Sequence, residues 1–129
     1  MQNFREFQSG PDPFGEMWEV RFKWLQTAIS IRHSNSVDVK FLLSNNSESG
    51  EKTISMPLPE LLNASKASGT PMTDAWCARL AKRHLEHLIT SGEDMEKELV
   101  TVSPADLAAY AREVNDWQLS EVRRIRGAA

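Results

Sequence analysis

Trp76, Cys77 and His84 are the side chains in this sequence with the most scope for chemistry. On a helix the three share one apolar face, so an indole, a thiol and an imidazole could line a pocket for a small molecule. A thiol in the first turns of a helix is also a candidate nucleophile, because aligned N–H groups can lower its pKa. His84 lies about 10 Å further along such a helix, which is too far for a direct thiolate–imidazole hydrogen bond.

The competing interpretation places the same three residues in the core. Free cysteines are most often small, buried apolar side chains. His84 stands between Leu80 and Leu88 on the apolar face, where a neutral ring would need a backbone carbonyl or a hydroxyl as its hydrogen-bond partner. Replacing His84 by leucine separates the two interpretations, because only a pocket residue would lose ligand binding.

Motifs for metal binding and catalysis are absent from the sequence. His84 and His87 share a helix side, but the helical zinc patterns are not met, and only His33 remains as a third imidazole. There is no glycine-rich phosphate loop, no nucleophile elbow and no Cys-x-x-Cys pair. We therefore predict no catalytic residue, no metal and no cofactor, and a non-catalytic protein is favoured over an enzyme.

Two groups of cations define a candidate basic patch for nucleic acid. They are Arg79, Lys82 and Arg83 on a long predicted helix, and Arg123, Arg124 and Arg126 at the C-terminus. The groups could merge if the two helices pack side by side. The alternative is a solvated helix face that the acidic run 93–98 balances. Aromatic residues near Arg21 and Lys23 do not help, because strand alternation puts them on the opposite face from the cations.

Length and composition predict one ordinary domain. The chain has 129 residues, is 40% hydrophobic and carries a formal charge of −3, which argues against a disordered tail, a collagen and a strongly basic nucleic-acid binder. The lone Cys77 cannot form an internal disulfide, no run approaches the ~18 apolar residues of a membrane span, and the N-terminus lacks the apolar core of a secretory signal. We expect a cytoplasmic protein without membrane association.

The pattern of apolar residues predicts an antiparallel β-meander of three or four strands over about residues 17–57. Strict alternation begins at Trp18 and slips in phase at Trp24 and Leu25, as a bulge or bend would produce, so residues 17–33 form either one bent strand or two. Two further strands follow, separated by short turn-forming runs. Residues 1–16 have no sustained period and predict a partly flexible arm, unless one of its phenylalanines docks on the body.

Capping signals predict three helices. Pro59 suits the first turn of a short helix that ends at Gly69. A long helix over about 71–91 begins at Thr70-Pro71 or Thr73-Asp74 and ends at Gly92, and a C-terminal helix over about 104–125 begins after Ser103. Between them, residues 99–102 form an edge strand or an extended connection.

The predicted fold is therefore a single two-layer α+β domain over 17–129, in which the long and the C-terminal helix cover one face of the meander. For its function, the leading hypothesis is a protein–protein interaction module, with a homodimer as one form of it. A nucleic-acid-associated protein that uses the basic helix faces is the first alternative. A small-molecule-binding protein or enzyme with a pocket at Trp76, Cys77 and His84 is the second.

Overall fold

The computed structural model describes the backbone of residues 4–28 and 35–127 and the side chains of residues 4–27 and 35–115. His33 and the side chains of Arg123, Arg124 and Arg126 lie outside this part of the chain. The predictions that depend on them therefore remain predictions. Among the described helices, none is long and apolar enough to cross a membrane.

The sheet has five strands, and their spatial order is their order in the chain. The strands are β1 (Glu6–Ser9), β2 (Trp18–Ala28), β3 (Ser36–Ser44), β4 (Ser49–Pro57) and β5 (Leu99–Thr101). The first four are antiparallel neighbours, which confirms the predicted meander, and β5 pairs in parallel with β4 at the edge. Parallel pairing is possible here because two helices connect β4 to β5 and return the chain to the end of the sheet at which β4 begins.

Strand β1 is an element that the sequence pattern missed. It lies inside the segment expected to be an arm, and its four residues are too few to show a period. Two aromatic contacts hold this segment. The Phe7 ring lies 6.1 Å from Phe41, and the Phe4 ring lies 5.4 Å from Phe22, both edge to face. These aromatic contacts partly bury the Phe4 and Phe7 rings, and they dock the N-terminal segment on the sheet.

The phase slip in β2 is a β-bulge at Lys23. Phe22 pairs with Phe41, whereas Trp24 pairs with Lys40, so Lys23 is the extra residue. The bulge lies one position before the expected slip, and it carries Trp24 to the outer face of the sheet instead of the inner one. There the Lys40 ammonium lies 5.2 Å from the centre of the Trp24 ring, a favourable cation–π contact.

The helices are α1 (Leu58–Ser68), α2 (Asp74–Ser91) and α3 (Pro104–Gly127). The Thr73 hydroxyl accepts a hydrogen bond of 3.1 Å from the Trp76 N–H, which selects the later of the two predicted starts of α2. Gly69 and Gly92 end α1 and α2 in the left-handed conformation, with φ of 68° and 77°. The helix-ending glycines are those expected from the sequence.

The core lies between one face of the sheet and the helices, which confirms an α+β fold of two layers. Alternate side chains of the central strands meet the apolar stripe of α2, and α3 packs on α1 and α2 and adds Leu107, Tyr110, Ala111 and Val114 to the same core. The fully buried side chains include Val39, Phe41, Ile54, Met56, Leu80, Leu85, Leu88, Ile89 and Leu107. Helix α1 packs against α3 and β4.

Candidate functional site

Trp76, Cys77 and His84 are core residues, with exposed fractions of 1%, 3% and 5%. The His84 Nδ1 lies 2.9 Å from the Tyr110 hydroxyl, which is the kind of partner that the core interpretation requires. Burial lowers the pKa of His84, and it raises the pKa of Cys77 to about 11 with help from the charge on Asp74. The thiol of Cys77 is therefore protonated at pH 7, and a protonated thiol is a poor nucleophile.

The cations on α2 lie under the N-terminal segment. Lys82 is only 5% exposed, its ammonium lies 4.6 Å from the centre of the Phe7 ring, and it is 3.3 Å from a carboxylate oxygen of Glu86. The Arg79 guanidinium lies 5.9 Å from the Phe4 ring. The face expected to be wet is thus partly covered by β1 and the residues before it, because long lysine stems pack readily on apolar surface.

Arg83, the third cation of this group, is paired with two carboxylates. Its Nε donates to Glu113 at 2.6 Å, and its Nη1 donates to Glu86 at 3.3 Å. The hydrogen bond to Glu113 is the main cause that raises the pKa of Arg83. The described half of the predicted basic patch is therefore largely neutralised, and its C-terminal half lies outside the described side chains.

A concave surface lies away from these predicted sites, at the end of the sheet where β2 and β4 begin. Three connections meet there: residues 10–17, residues 45–48 and residues 92–98. Together with the first residues of β4 they enclose a cleft of about 690 Å³, which we call the loop cleft. It is lined by Asp12, Pro13, Phe14, Glu16, Trp18, Leu43, Asn45, Ser47, Glu48, Ser49, Gly50, Glu51, Lys52, Ser91, Gly92 and Met95.

The first wall of the loop cleft is built around Asp12. One oxygen of its carboxylate accepts hydrogen bonds from the backbone N–H groups of Phe14 and Glu16, each at 2.9 Å, and the other accepts from the Trp18 indole at 3.0 Å. These bonds, the one from the Glu16 backbone first, lower the pKa of Asp12. The loop is therefore closed by an ionised carboxylate, and it holds Phe14 outward with 91% of its surface exposed.

The second wall is the β3–β4 turn. The Asn45 side-chain oxygen accepts from the N–H groups of Ser47 at 2.9 Å and Glu48 at 2.7 Å, and the Asn45 N–H donates to the Glu48 carbonyl at 2.8 Å. An Asn side chain that binds the backbone two and three residues later is a common way to fix a turn. Glu48 is exposed beside this turn.

The third wall is held by a buried lysine. The Lys52 ammonium donates hydrogen bonds of 2.6 Å to the backbone carbonyls of Asp94 and Lys97, and the residue is 3% exposed. Burial lowers the pKa of Lys52. Where α2 ends, Gly92 leaves room for Pro13, because a Cβ at Gly92 would lie only 2.8 Å from the Pro13 Cγ. The first and third walls therefore touch.

The loop cleft combines an apolar floor with acidic groups. Its apolar side chains are Phe14, Trp18, Leu43 and Met95, and its acidic side chains are Asp12, Glu16 and Glu48, whereas the Glu51 carboxylate is paired with Lys23 and Lys40. Lys52, the one cation among the described lining residues, already binds two carbonyls. Across the described residues, no group of three His, Cys, Asp or Glu side chains is placed to hold a metal ion.

A second depression, of about 720 Å³, lies over the sheet at the same end of the molecule. Most of its charged side chains are already paired: Arg21 lies 3.6 Å from Glu6, and Glu51 lies 3.0 Å from Lys23 and 3.1 Å from Lys40. These exposed pairs surround Leu42. This depression is the outer face of the sheet, with less apolar surface for a ligand than the loop cleft.

The chain matches no family model, no curated protein and no solved structure. The α+β fold with its three-walled cleft is therefore the basis for inferring a function. Sequence reasoning missed this site, although two of its signals are visible: Gly10, Asp12 and Gly15 favour a tight loop around Phe14, and Asn45 favours a tight turn. What the sequence does not show is that the two loops meet each other.

Proposed function

We propose that this protein is a non-catalytic protein–protein interaction module that binds its partner through the loop cleft. The observation that supports it most is Phe14, an aromatic side chain that is 91% exposed on a loop fixed by Asp12. Burying a phenylalanine is worth about 1.5–3 kcal/mol, and aromatic anchors held in place before binding are typical centres of interfaces.

The chemistry of the lining also supports binding over catalysis. The pKa values of Asp12 and Glu51 are both lowered, the first by backbone and indole hydrogen bonds and the second by Lys23 and Lys40. At neutral pH these two carboxylates therefore hold no proton to donate, and their lone pairs are used in fixed contacts. The acidic lining would repel the phosphates of nucleic acid, so the partner proposed here is a protein.

The proposed cellular location is the cytoplasm, with no membrane association. A single, buried Cys77 suits a reducing compartment, where disulfides are rare. A homodimer built through Phe14 is one form that the interaction could take. Native mass spectrometry and sedimentation of wild-type protein and Phe14→Ala would identify it, since a dimer that buries Phe14 dissociates in the variant.

Selection from a random dodecapeptide display library tests the proposal without knowledge of the partner. We expect ligands whose affinity falls at least tenfold in Phe14→Ala, because ~1.4 kcal/mol corresponds to a factor of ten. Leu62→Ala is the matched control: Leu62 is 43% exposed on α1, which begins at the opposite end of β4. Selected ligands that bind Phe14→Ala as well as wild type would contradict the proposal, as would equal losses in both variants.

A further inference from the structure

Strand β4 is longer than the strand that covers its edge. β4 runs over Ser49–Pro57, but β5 pairs with Thr53, Ile54 and Ser55 only. The Thr53 N–H donates to the Glu98 carbonyl at 2.6 Å, and the Val102 N–H donates to the Ser55 carbonyl at 2.9 Å. These contacts show that odd-numbered residues of β4 turn their backbone groups toward β5.

Successive residues of a strand turn their N–H and C=O groups to alternate sides. The same side as Thr53 is therefore the side of Glu51 and Ser49, which precede the paired stretch. Within residues 4–28 and 35–127, no strand pairs with β4 at these positions on that side. The first half of β4 is thus an open edge, and open edges accept extended peptides.

The open edge runs beside the loop cleft, whose lining includes the continuous run from Ser47 to Lys52. A peptide strand placed on Glu51 and Ser49 would run along the side of that cleft that β4 forms. Met95, on the third wall, packs against the core and is half-buried. The cleft and the open edge therefore share the first residues of β4, so that one extended peptide can contact both.

The acidic side chains of the loop cleft favour a peptide strand that carries cations. Glu16 and Glu48 are exposed in the lining and form no ion pair within the described part of the chain. The third wall belongs to the run 93–98, which carries four acidic residues, one lysine and one methionine. Opposite charges across an interface raise the association rate and reject wrong partners.

We infer that the loop cleft takes an extended, lysine- or arginine-bearing segment of a partner protein, which adds to the free edge of β4 at Ser49 and Glu51. This inference rests on the proposed function and narrows it to one class of partner. The backbone of β4 supplies hydrogen bonds, Phe14 and the apolar floor take the uncharged side chains, and Glu16 and Glu48 face the cations.

The dodecapeptides selected on wild-type protein are the probe. We expect lysine or arginine at alternate positions of these peptides. Each peptide can be N-methylated either at its odd-numbered or at its even-numbered backbone nitrogens, and we expect only one of these two forms to bind at least tenfold more weakly. The combined variant Glu16→Gln/Glu48→Gln should weaken binding about three- to tenfold at low salt. Glu60→Gln, an acid on α1, is the control and should change nothing.

Amide hydrogen exchange of the complex locates the contact. The amide of Glu51 should exchange more slowly with the peptide bound, while amides of α1 keep their rates. Phe14-dependent ligands that are acidic, or that tolerate N-methylation in both phases, would overturn the inference and leave the proposed function standing. If no selected peptide depends on Phe14, the proposed function and this inference are both wrong. If a second copy of this chain occupies the groove, the assigned partner class is wrong.

Discussion

Replacing His84 by leucine tests whether the imidazole is a neutral core group. His84 is 5% exposed, its Nδ1 contacts the Tyr110 hydroxyl at 2.9 Å, and its Nε2 is buried with no hydrogen-bond partner among the described residues. Burial holds the pKa of His84 below its ordinary value. In the unfolded chain the same ring titrates near 6.5.

The direction in which pH changes the free energy of unfolding follows from the difference between the His84 pKa in the folded and in the unfolded protein. Below about pH 6.5 the unfolded chain binds a proton at His84 that the folded protein does not bind until its lower pKa is reached. The wild-type free energy of unfolding therefore falls as the pH drops through this window, by at most about 1.4 kcal/mol per pH unit from this group. A leucine side chain does not titrate, so His84→Leu should lose stability less steeply than wild type toward pH 5.

At pH 7.5 the variant exchanges one set of interactions for another. It loses a hydrogen bond worth about 0.5–1.5 kcal/mol and leaves the Tyr110 hydroxyl without its partner, while it removes the unpartnered Nε2. We expect a net loss of about 1 kcal/mol in His84→Leu, and a smaller loss when Tyr110→Phe is added, because removing both partners of a buried pair is nearly neutral.

Urea unfolding followed by tryptophan fluorescence at pH 7.5, 6.0 and 5.0 measures these quantities. Leu62→Ala is the control, because Leu62 is exposed on α1 and carries no titratable group, so this variant should keep the wild-type pH slope. If His84→Leu keeps the full wild-type slope between pH 6.5 and 5, then His84 is not the group that causes the loss of stability. A small molecule that copurifies with wild type and is lost in this variant would restore the pocket interpretation.

Three further predictions concern the loops and the thiol. Asp12→Ala should lower the melting temperature, speed amide exchange at residues 14–17 and shift the Trp18 emission, since the carboxylate closes that loop. Unchanged exchange there would contradict the role given to Asp12. Lys52→Met should lower the free energy of unfolding by about 1–3 kcal/mol and speed amide exchange at residues 93–98. Lys66→Met on α1 is the control. If the amides of residues 93–98 exchange as slowly in Lys52→Met as in wild type, Lys52 does not hold that loop. Cys77 should react with a thiol reagent at pH 7.5 only after urea unfolding, and rapid labelling of the folded protein would show an accessible thiolate instead.

Local patterns determined most of the secondary structure. Alternation from Val37 to Leu43 requires one buried face, and the pairing of β3 with β4 follows from their short turn. Gly69 and Gly92 act on backbone groups within a few residues of themselves, so the C-terminal ends of α1 and α2 could be placed from the sequence, whereas the start of α2 was only narrowed to Thr70 or Thr73. The bulge in β2 was also visible, because two adjacent apolar residues cannot share one face of a regular strand.

Sequence patterns were less informative where distant segments meet. The periodicity of α2 assigns Lys82 to the wet side of the helix, and only the docking of β1 buries it beneath Phe7. Trp24 belongs to the inner face by alternation, yet a bulge one position earlier turns it to Lys40. Neither outcome has a purely local cause, because each depends on contacts between residues that are far apart in the chain.

Local sequence information was enough to assign the class of fold, the main elements and their ends, and the absence of known catalytic motifs. Which polar groups are buried and which loops adjoin could be learned only from the packed molecule. Asp12, Asn45 and Lys52 each fix one loop through hydrogen bonds, but those loops form a cleft only because β2, β4 and the end of α2 reach the same edge of the fold. Burial and long-range adjacency depend on the packing of whole elements, and packing is not encoded in the spacing of neighbouring residues.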